Sequence, residues 1–581
     1  LGRLWGMEQR RKAMVQDLIS IGISDNAILA AMAMVPMELF APSEALESVY
    51  TNNPIPIGYD ETISQPGLTA AMLQNLDLQK GDKVLELKTA SGYQTVLLAQ
   101  MGMDVTTIES DWALAGHLKD IFKEFLDQKT NEDGSDLGMH LNNIFQALDR
   151  PEEKRQDNLD ISIDQFPYVN GNLFKDQIPV ASFNSKLRTI LIECCSFDWK
   201  KISPSVFGSL FQAAMDPKKR RNLGAHYTSE ENIMKVISTL FLDDLNMEFD
   251  TCSSITKLNN LKKKISELKF LDPACGCGNF LVITYRELRK LELKIIKKID
   301  KIKGKGVQKV LDITNFSNIT SISLNNFVGF ELDIFPAKIS ELSMWLIDHQ
   351  MNIELSSYLG NYFSKIPIKE SADIFNINCI KEDWFQHLRP EEINYVIGNP
   401  PFVGTKERNK LQKEEMDLVF KGIKGSGNLD YVTCWYKKAA DFIQHTNIKC
   451  AFVSTNSITQ GIQPGILWRC LKERNIVINF AHTTFNWSNE VAGGAHVHVV
   501  IIGFSLIQNR DKKIFSYSDD GKILRSKVNK INSYLLNAPD IFINNSKTPI
   551  SKHCPKMSYG SIGYDDNLFS FNNKKDLDNF L

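Results

Sequence analysis

Phe270-Leu271-Asp272-Pro273-Ala274-Cys275-Gly276-Cys277-Gly278-Asn279-Phe280 decides the fold. The short apolar run from Leu268 ends on an acid, Asp272, and reads as a strand. Gly276 and Gly278 then supply the conformational freedom of a tight turn. From Phe280 to Lys298 apolar and basic residues alternate with a helical period. Strand, glycine turn and helix make the ligand-holding unit of a doubly wound α/β sheet. The helix N-terminus there offers backbone N–H groups and a positive dipole to an anionic group, and Asn279 is placed to cap it.

Working outward, Phe327-Val328-Gly329-Phe330-Glu331 is a second apolar strand that ends in an acid. An acid at that point can accept two hydrogen bonds from ribose hydroxyls, as in dinucleotide folds. Asp383-Trp384 sits where a third strand would deliver an acid to an adenine amino group. Asn394 to Gly398 is a fourth strand and runs straight into Asn399-Pro400-Pro401-Phe402. Later strands are expected at Ala451–Thr455, Val477–Ala481 and Val497–Ile502. The fold class is therefore α/β, a doubly wound Rossmann-like sheet.

Composition sets the outer bounds. A chain of 581 residues should hold two to four domains, at roughly 150 residues each. A hydrophobic content of 43% and a charged content of 23% are ordinary for a globular protein. There is no apolar run of membrane-spanning length and no signal peptide, so a cytoplasmic location is expected. The ten cysteines form no C-x-x-C pair, which argues against zinc and for reduced thiols. A net charge of -2 neither supports nor excludes a nucleic-acid partner, because only the groove needs positive potential.

The chain changes character along its length. Up to about residue 110 it is rich in Ala, Met and Leu; beyond about 130 it is rich in Asn, Ile, Lys and Ser. The first stretch carries Val35-Pro36-Met37-Glu38-Leu39-Phe40-Ala41-Pro42, Pro54-Ile55-Pro56-Ile57-Gly58-Tyr59, Thr62-Ile63-Ser64-Gln65-Pro66, Gly81-Asp82-Lys83-Val84-Leu85-Glu86 and Ser91-Gly92-Tyr93-Gln94. Over about residues 7–110 it resembles the N-terminal half of protein-L-isoaspartate O-methyltransferase. The resemblance implies that Ser64 lies beside a substrate. It fails at the cofactor turn, where the family has Glu-x-Gly-x-Gly-x-Gly. Here Glu86-Leu87-Lys88-Thr89-Ala90-Ser91-Gly92 stands, with two of three glycines replaced. Glu109 remains as a ribose-binding candidate, but the later strands are missing, and half a sheet cannot close its crevice. A remnant is expected, with isoaspartyl methylation as the alternative. Asp77, Glu86 and Lys88 also fit, loosely, the acid–acid–lysine magnesium site of nucleases; the flanking motifs explain Glu86 better.

The second stretch carries Thr130 to Leu141, Phe166-Pro167-Tyr168-Val169-Asn170-Gly171, Pro204 to Phe211, and Gly224-Ala225-His226-Tyr227-Thr228-Ser229-Glu230-Glu231-Asn232-Ile233, then the two opening motifs. In that order they resemble the methyltransferase part of single-chain type IIG restriction–modification enzymes, with the γ-type order of motifs. The resemblance implies an enzyme that uses S-adenosyl-L-methionine to methylate the N6 amino group of adenine in DNA. It implies cofactor contacts at Thr228, Asp272, Ala274, Gly276, Gly278, Asn279, Glu331 and Asp383. It implies catalysis at Asn399, Pro400, Pro401 and Phe402, no metal, and double-stranded DNA with a flipped adenine as partner. Domains are expected at 1–127 (incomplete segment), 128–215 (helical connector), 216–505 (methyltransferase) and 506–581. The last, with Ser558-Tyr559-Gly560-Ser561, resembles the start of a target-recognition domain that stops short, so specificity is expected on a missing or separate part. A truncated fragment that only binds cofactor or DNA is the other alternative.

The loop's own chemistry agrees. An exocyclic amine is a poor nucleophile, because its lone pair is conjugated into the ring. The Asn399 side-chain oxygen and the Pro400 carbonyl can accept its hydrogen bonds and favour the pyramidal nitrogen. The prolines fix φ and pre-place the acceptors. Phe402 is expected to stack on the extruded base, worth about 1–3 kcal/mol. Cytosine N4 and glutamine amides can use similar loops. The absence of Pro-Cys-Gln argues against a cytosine-carbon methylase. Lys218-Lys219-Arg220-Arg221 reads either as a phosphate contact or as a solvated loop. Phe480 to Trp487 is expected near the base pocket, without an assigned role.

Overall fold

The computed structural model describes residues 2–41, 45–46, 48–58, 61–87, 91–108, 122–156, 158–166, 168–169, 174, 180–195, 202–204, 206, 208, 228–303, 320–359, 371–487, 497–518 and 522–542. Lys88, Glu109, Lys218–Arg221, His226, Tyr227 and Ser558–Ser561 lie outside the described residues.

The main sheet begins where the sequence reading began. Strand β5, Phe270–Asp272, is buried at every position, as expected of a strand covered on both faces. It pairs in parallel with β6, Phe327–Glu331, on one side and with β8, Tyr395–Gly398, on the other. Beyond β6 lies β7, Asp373–Asn376. Beyond β8 lie β9, Lys449–Thr455, and then the antiparallel β11, Val497–Ser505, which pairs with β10, Val477–Trp487. The chain thus winds outward from β5 in both directions, which opens a crevice at the C-terminal ends of β5 and β8.

The crossovers are helical. Asn279–Lys303 links β5 to β6, and Ile334–Leu359 links β6 to β7. The first buries Leu281, Tyr285, Leu288, Leu291 and Ile295, a stripe at helical spacing. Lys410–Val419, Thr433–Phe442 and Gln463–Lys472 flank β9. Asn409 and Gln412 form a reciprocal capping box at the first of these. Ahead of the sheet, the helix Glu230–Ile237 runs through a π-helical stretch, Ser238–Leu242, into Asp243–Thr251.

The sheet does not stop at residue 505, where the sequence reading set a boundary. Strand β12, Lys512–Tyr517, pairs in parallel with β10, and β13, Ile523–Val528, pairs with β12. The order is β13-β12-β10-β11-β9-β8-β5-β6-β7. The cause is the ring packing of Phe515 on His482, with centroids 4.3 Å apart and planes nearly parallel. Such cross-strand pairing holds the extra hairpin to the sheet.

The N-terminal stretch has its own core, built from Met14, Leu18, Ile28, Met32, Leu73, Tyr93, Leu97 and neighbours. A hairpin joins β1, Ile55–Gly58, to β2, Glu61–Ile63. A parallel pair joins β3, Lys83–Leu87, to β4, Asp104–Ile108, through the helix Tyr93–Gln100. Among the described residues this is a single βαβ unit. Val84 packs inward, while Leu85 on the opposite face is 57% exposed. A parallel sheet normally has both faces covered. Helices Leu137–Asp149 and Ser185–Cys195 form part of the connector, where Arg188 donates to the carbonyl of Leu126 and to Thr130 Oγ1. Gln350 on the β6–β7 helix donates to the carbonyl of Ile202 at 2.8 Å.

Candidate active site

The turn after β5 is built by backbone constraint. Gly276 and Gly278 have φ of +54° and +84°, the left-handed region that suits glycine. A Cβ on Gly278 would lie 2.4 Å from Ser340 Oγ, whereas one on Gly276 would point into open space. Asp272 Oδ1 accepts the Ala274 amide at 3.0 Å. Glu331, at the end of β6, accepts the Gly276 amide at 2.9 Å and the Asp333 amide at 3.0 Å. Trp435 donates its indole N–H to the Pro273 carbonyl at 3.0 Å. Five of the residues expected here (Asp272, Ala274, Gly276, Gly278 and Glu331) therefore meet at one edge of the sheet.

Burial decides the electrostatics of that edge. Asp272 is 1% exposed. Loss of water pushes its carboxyl up to about 8, with Glu331 adding to the rise and the Ala274 amide opposing it. Glu331 is also raised by burial, against the amides of Asp333 and Gly276. Burial moves the Cys275 thiol well above its usual range and the Cys277 thiol up to about 12. Neither cysteine is therefore a thiolate nucleophile at neutral pH.

Asn399 follows β8 directly. Its amide Nδ2 donates to Thr228 Oγ1 at 2.9 Å, across 171 positions of sequence. This bond fixes the amide plane and turns Oδ1 the other way. Gly398, just before it, packs so close to Asp272 that a Cβ would lie 2.5 Å from Oδ1. The segment that leads into Asn399–Phe402 and the start of the glycine turn are therefore in direct contact. Pro400 is buried and Pro401 half-buried.

Three expectations change. Asp383 does not sit at a strand end. It is exposed and caps the short helix Trp384–Gln386 through the Phe385 amide. Trp384 is buried, with its N–H on the Cys379 carbonyl at 2.8 Å, and this anchors the turn. Asp383 faces Lys438. Asn378, two residues past β7, donates to Glu415 at 2.7 Å. Asn279 is the first helical residue rather than a side-chain cap; its side chain lies against Gly208, and its Oδ1 is buried without a hydrogen-bond partner among the described residues. Phe402 is only 9% exposed and belongs to the main core.

Sequence reasoning missed the carboxylates behind the loop. Glu415 is 5% exposed and accepts from Asn378 and the Tyr431 hydroxyl. Asp430 is 8% exposed and accepts the Thr405 amide at 3.2 Å and the Ser457 hydroxyl. Their partners lie 16 to 37 positions away, so no local pattern reveals them.

The sheet order is that of a doubly wound, Rossmann-like α/β fold, with Asn399 at its switch point. Residues 249–516 match the family model "MmeI, DNA-methyltransferase domain", and residues 114–174 match "MmeI, helicase spacer domain". Residues 9–116 match "Protein-L-isoaspartate(D-aspartate) O-methyltransferase (PCMT)". The chain is similar to DNA methyltransferase A of Bacillus subtilis (strain 168), with 38% identity over 480 residues, which is 81% of this chain and 53% of that protein. It is similar to the structure of the Type IIL restriction–modification enzyme MmeI, solved in complex with DNA. That match has 48% identity and a TM-score of 0.72, and covers 77% of this chain and 59% of that one. Its start is similar to the protein-L-isoaspartate O-methyltransferase of Dictyoglomus turgidum (strain DSM 6724 / Z-1310), with 47% identity over 100 residues, 17% of this chain and 46% of that protein. The chain spans about half the length of the curated relatives it matches. The resemblances drawn from the motifs hold on both sides of the junction: a restriction–modification-type methyltransferase sequence with an isoaspartyl-methyltransferase-like segment ahead of it. Among the described residues no helix is long and apolar enough to cross a membrane, and no cluster of metal-ligating side chains occurs.

Proposed function

We propose that this chain methylates the N6 amino group of adenine in double-stranded DNA, with S-adenosyl-L-methionine as methyl donor, in the cytoplasm and as part of a restriction–modification system. The single observation that carries this is Asn399. Its amide is oriented by Thr228, and its loop rests against the Asp272 turn through Gly398.

The turn fits such a cofactor. Gly276 leaves open space where a side chain would stand, and Asn279 presents an amide oxygen without a hydrogen-bond partner among the described residues. Asp272, Ala274, Gly276, Gly278, Asn279, Glu331 and Asp383 would hold it, with Thr228 beside Asn399. When bound, the cofactor supplies an electrophilic methyl group. Asn399 Oδ1 and the Pro400 carbonyl accept the two N–H bonds of the target amine and favour a pyramidal nitrogen with its lone pair released from the ring. Pro400 and Pro401 keep those acceptors in place before the base arrives. Stacking by Phe402 requires its ring to turn out of the core as the base enters.

Labelled methyl transfer to duplex DNA, followed by nucleoside analysis, tests this reading. Label in N6-methyladenine is expected, and label in N4-methylcytosine would overturn the choice of base. Asn399→Ala is expected to lower the transfer rate by about 10²–10³-fold, the cost of one lost charge-stabilising contact, with cofactor affinity unchanged by calorimetry. Full activity of that variant would sink the mechanism. The DNA complex of the similar MmeI supports the choice of substrate.

A further inference from the structure

We propose that Asp430 is a positioning residue for this reaction: its buried carboxylate fixes the Asn399–Phe402 loop through Thr405 and ties it to Ser457 at the end of β9. The inference rests on the role given above to that loop.

After Phe402 the chain leaves β8 and must be held at one height over the crevice. Two bonds do this from the same two residues. The Tyr431 amide donates to the Val403 carbonyl at 3.0 Å, and Asp430 Oδ1 accepts the Thr405 amide at 3.2 Å. The second carboxylate oxygen accepts the Ser457 hydroxyl. Ser457 stands in the turn Asn456–Thr459 that closes β9 and also bonds Thr455 Oγ1 at 2.8 Å. The Asp430 amide in turn donates to Gln463 Oε1 at 3.0 Å, at the start of the Gln463–Lys472 helix. The Asp430 carbonyl accepts both the amide and the hydroxyl of Thr433, which locks the residue at the head of its own helix.

One side chain therefore links three segments at the C-terminal edge of β8 and β9. Farther along the loop, Arg408 donates to the Gly427 carbonyl at 2.7 Å and braces it from the other end. None of these groups is placed to touch a base or a methyl donor in the scheme above. Their effect passes through Asn399 and Pro400, whose acceptors must match a pyramidal nitrogen. Misplacing such a contact by about 1 Å costs roughly 10²-fold in rate.

The test uses the full chain with Asp430→Ala, Asp430→Asn and Ser457→Ala. Readouts are kcat and KM for methyl transfer to DNA, calorimetric affinity for S-adenosyl-L-methionine, and the thermal midpoint. Asp430→Ala is expected to lower kcat about 10²-fold, with cofactor affinity within twofold and the midpoint little changed. Asp430→Asn keeps an acceptor for Thr405 and can donate to Ser457, so it should recover most of the lost rate. Ser457→Ala should show a smaller loss, also in kcat. The proposal is overturned if Asp430→Ala keeps kcat within threefold, if the asparagine variant is no better than alanine, or if rate, cofactor affinity and midpoint all fall together. A wild-type chain that binds cofactor but transfers no methyl overturns the proposed function instead, before any variant is compared.

Discussion

At the scale of single residues, the site depends on groups held where their ordinary chemistry is suppressed. Asp272 has a folded pKa of about 8, above the unfolded value of about 3.9. The folded chain therefore binds this proton more tightly than the unfolded chain does. The resulting stability is fully present below about pH 4 and is lost as pH rises through about 8, at up to roughly 1.4 kcal/mol per pH unit. Asp272→Asn keeps an acceptor for the Ala274 amide and removes the titration. Between pH 5 and pH 8.5 the thermal midpoint of the wild type should fall further than that of the variant; parallel curves would refute the assignment. The two glycines of the turn separate folding from binding. Gly278→Ala meets Ser340 at 2.4 Å and takes a left-handed conformation, so a loss of about 2–4 kcal/mol is expected from overpacking and strain. Gly276→Ala meets nothing and should cost only about 1 kcal/mol in backbone conformation, yet weaken S-adenosyl-L-methionine in calorimetry. Both glycines, Asp272, Glu331 and Asn399 were legible in the sequence, because each sits where an apolar strand stops. The position of Asp383 relative to its strand was not legible: the strand there, Asp373–Asn376, is half-exposed and gives no apolar run to mark its end.

At the scale of elements, two helices carry the sheet's first half, and a buried ionic cluster joins them. Arg289 pairs with Asp348 at 3.0 Å and with Glu292 at 3.2 Å, and donates to Asn352 at 3.0 Å; Tyr285 donates to Asp348 as well. Arg289, Glu292 and Asp348 are all under 5% exposed. Removing one partner leaves an uncompensated charge, and Asp348→Ala should cost about 3–5 kcal/mol, measured as a drop in denaturant midpoint. Asp348→Asn, which keeps an acceptor, should cost less. A second link is the line from Tyr517 through His482 to Thr239. Burial lowers the His482 imidazole to about 3, helped by Lys235, so the ring is neutral at physiological pH. Thr239 donates its own hydroxyl proton to the Lys235 carbonyl. His482 bonds Thr239 through Nε2 and the Tyr517 hydroxyl through Nδ1. Sequence analysis set His482 within Phe480–Trp487 without a role, since the line joins residues 239, 482 and 517 across three elements. The strands β12 and β13 were missed for another reason, a burial pattern without alternation. Residues Ile523–Lys527 are all exposed, without the alternation that marks a half-buried strand.

At the scale of the whole molecule, the two methyltransferase-like halves differ in what their sheets can close. Among the described residues, the core that contains β5 to β13 runs from Ile233 to Leu535 and includes none of the first 110. The N-terminal core runs from Met14 to Met103 and includes no residue of the rest. Each half therefore buries its own apolar surface, and burial is the dominant favourable term in folding. Glu86, at the end of β3, accepts the Thr95 hydroxyl, and Ser64 is half-buried after β2. With two parallel strands and an exposed Leu85, the described unit has no switch point, and so lacks the crevice where such sheets bind ligands. A chain that starts at residue 111 should therefore fold, bind S-adenosyl-L-methionine within twofold of the full chain, and keep its rate of DNA methylation. Isoaspartyl-peptide methylation should be absent from both. Loss of cofactor binding on deletion would show that the first segment completes the second site, which separate cores do not predict. Peptide methylation that disappears with Ser64→Ala would show instead that a single βαβ unit and its neighbours suffice for a working site.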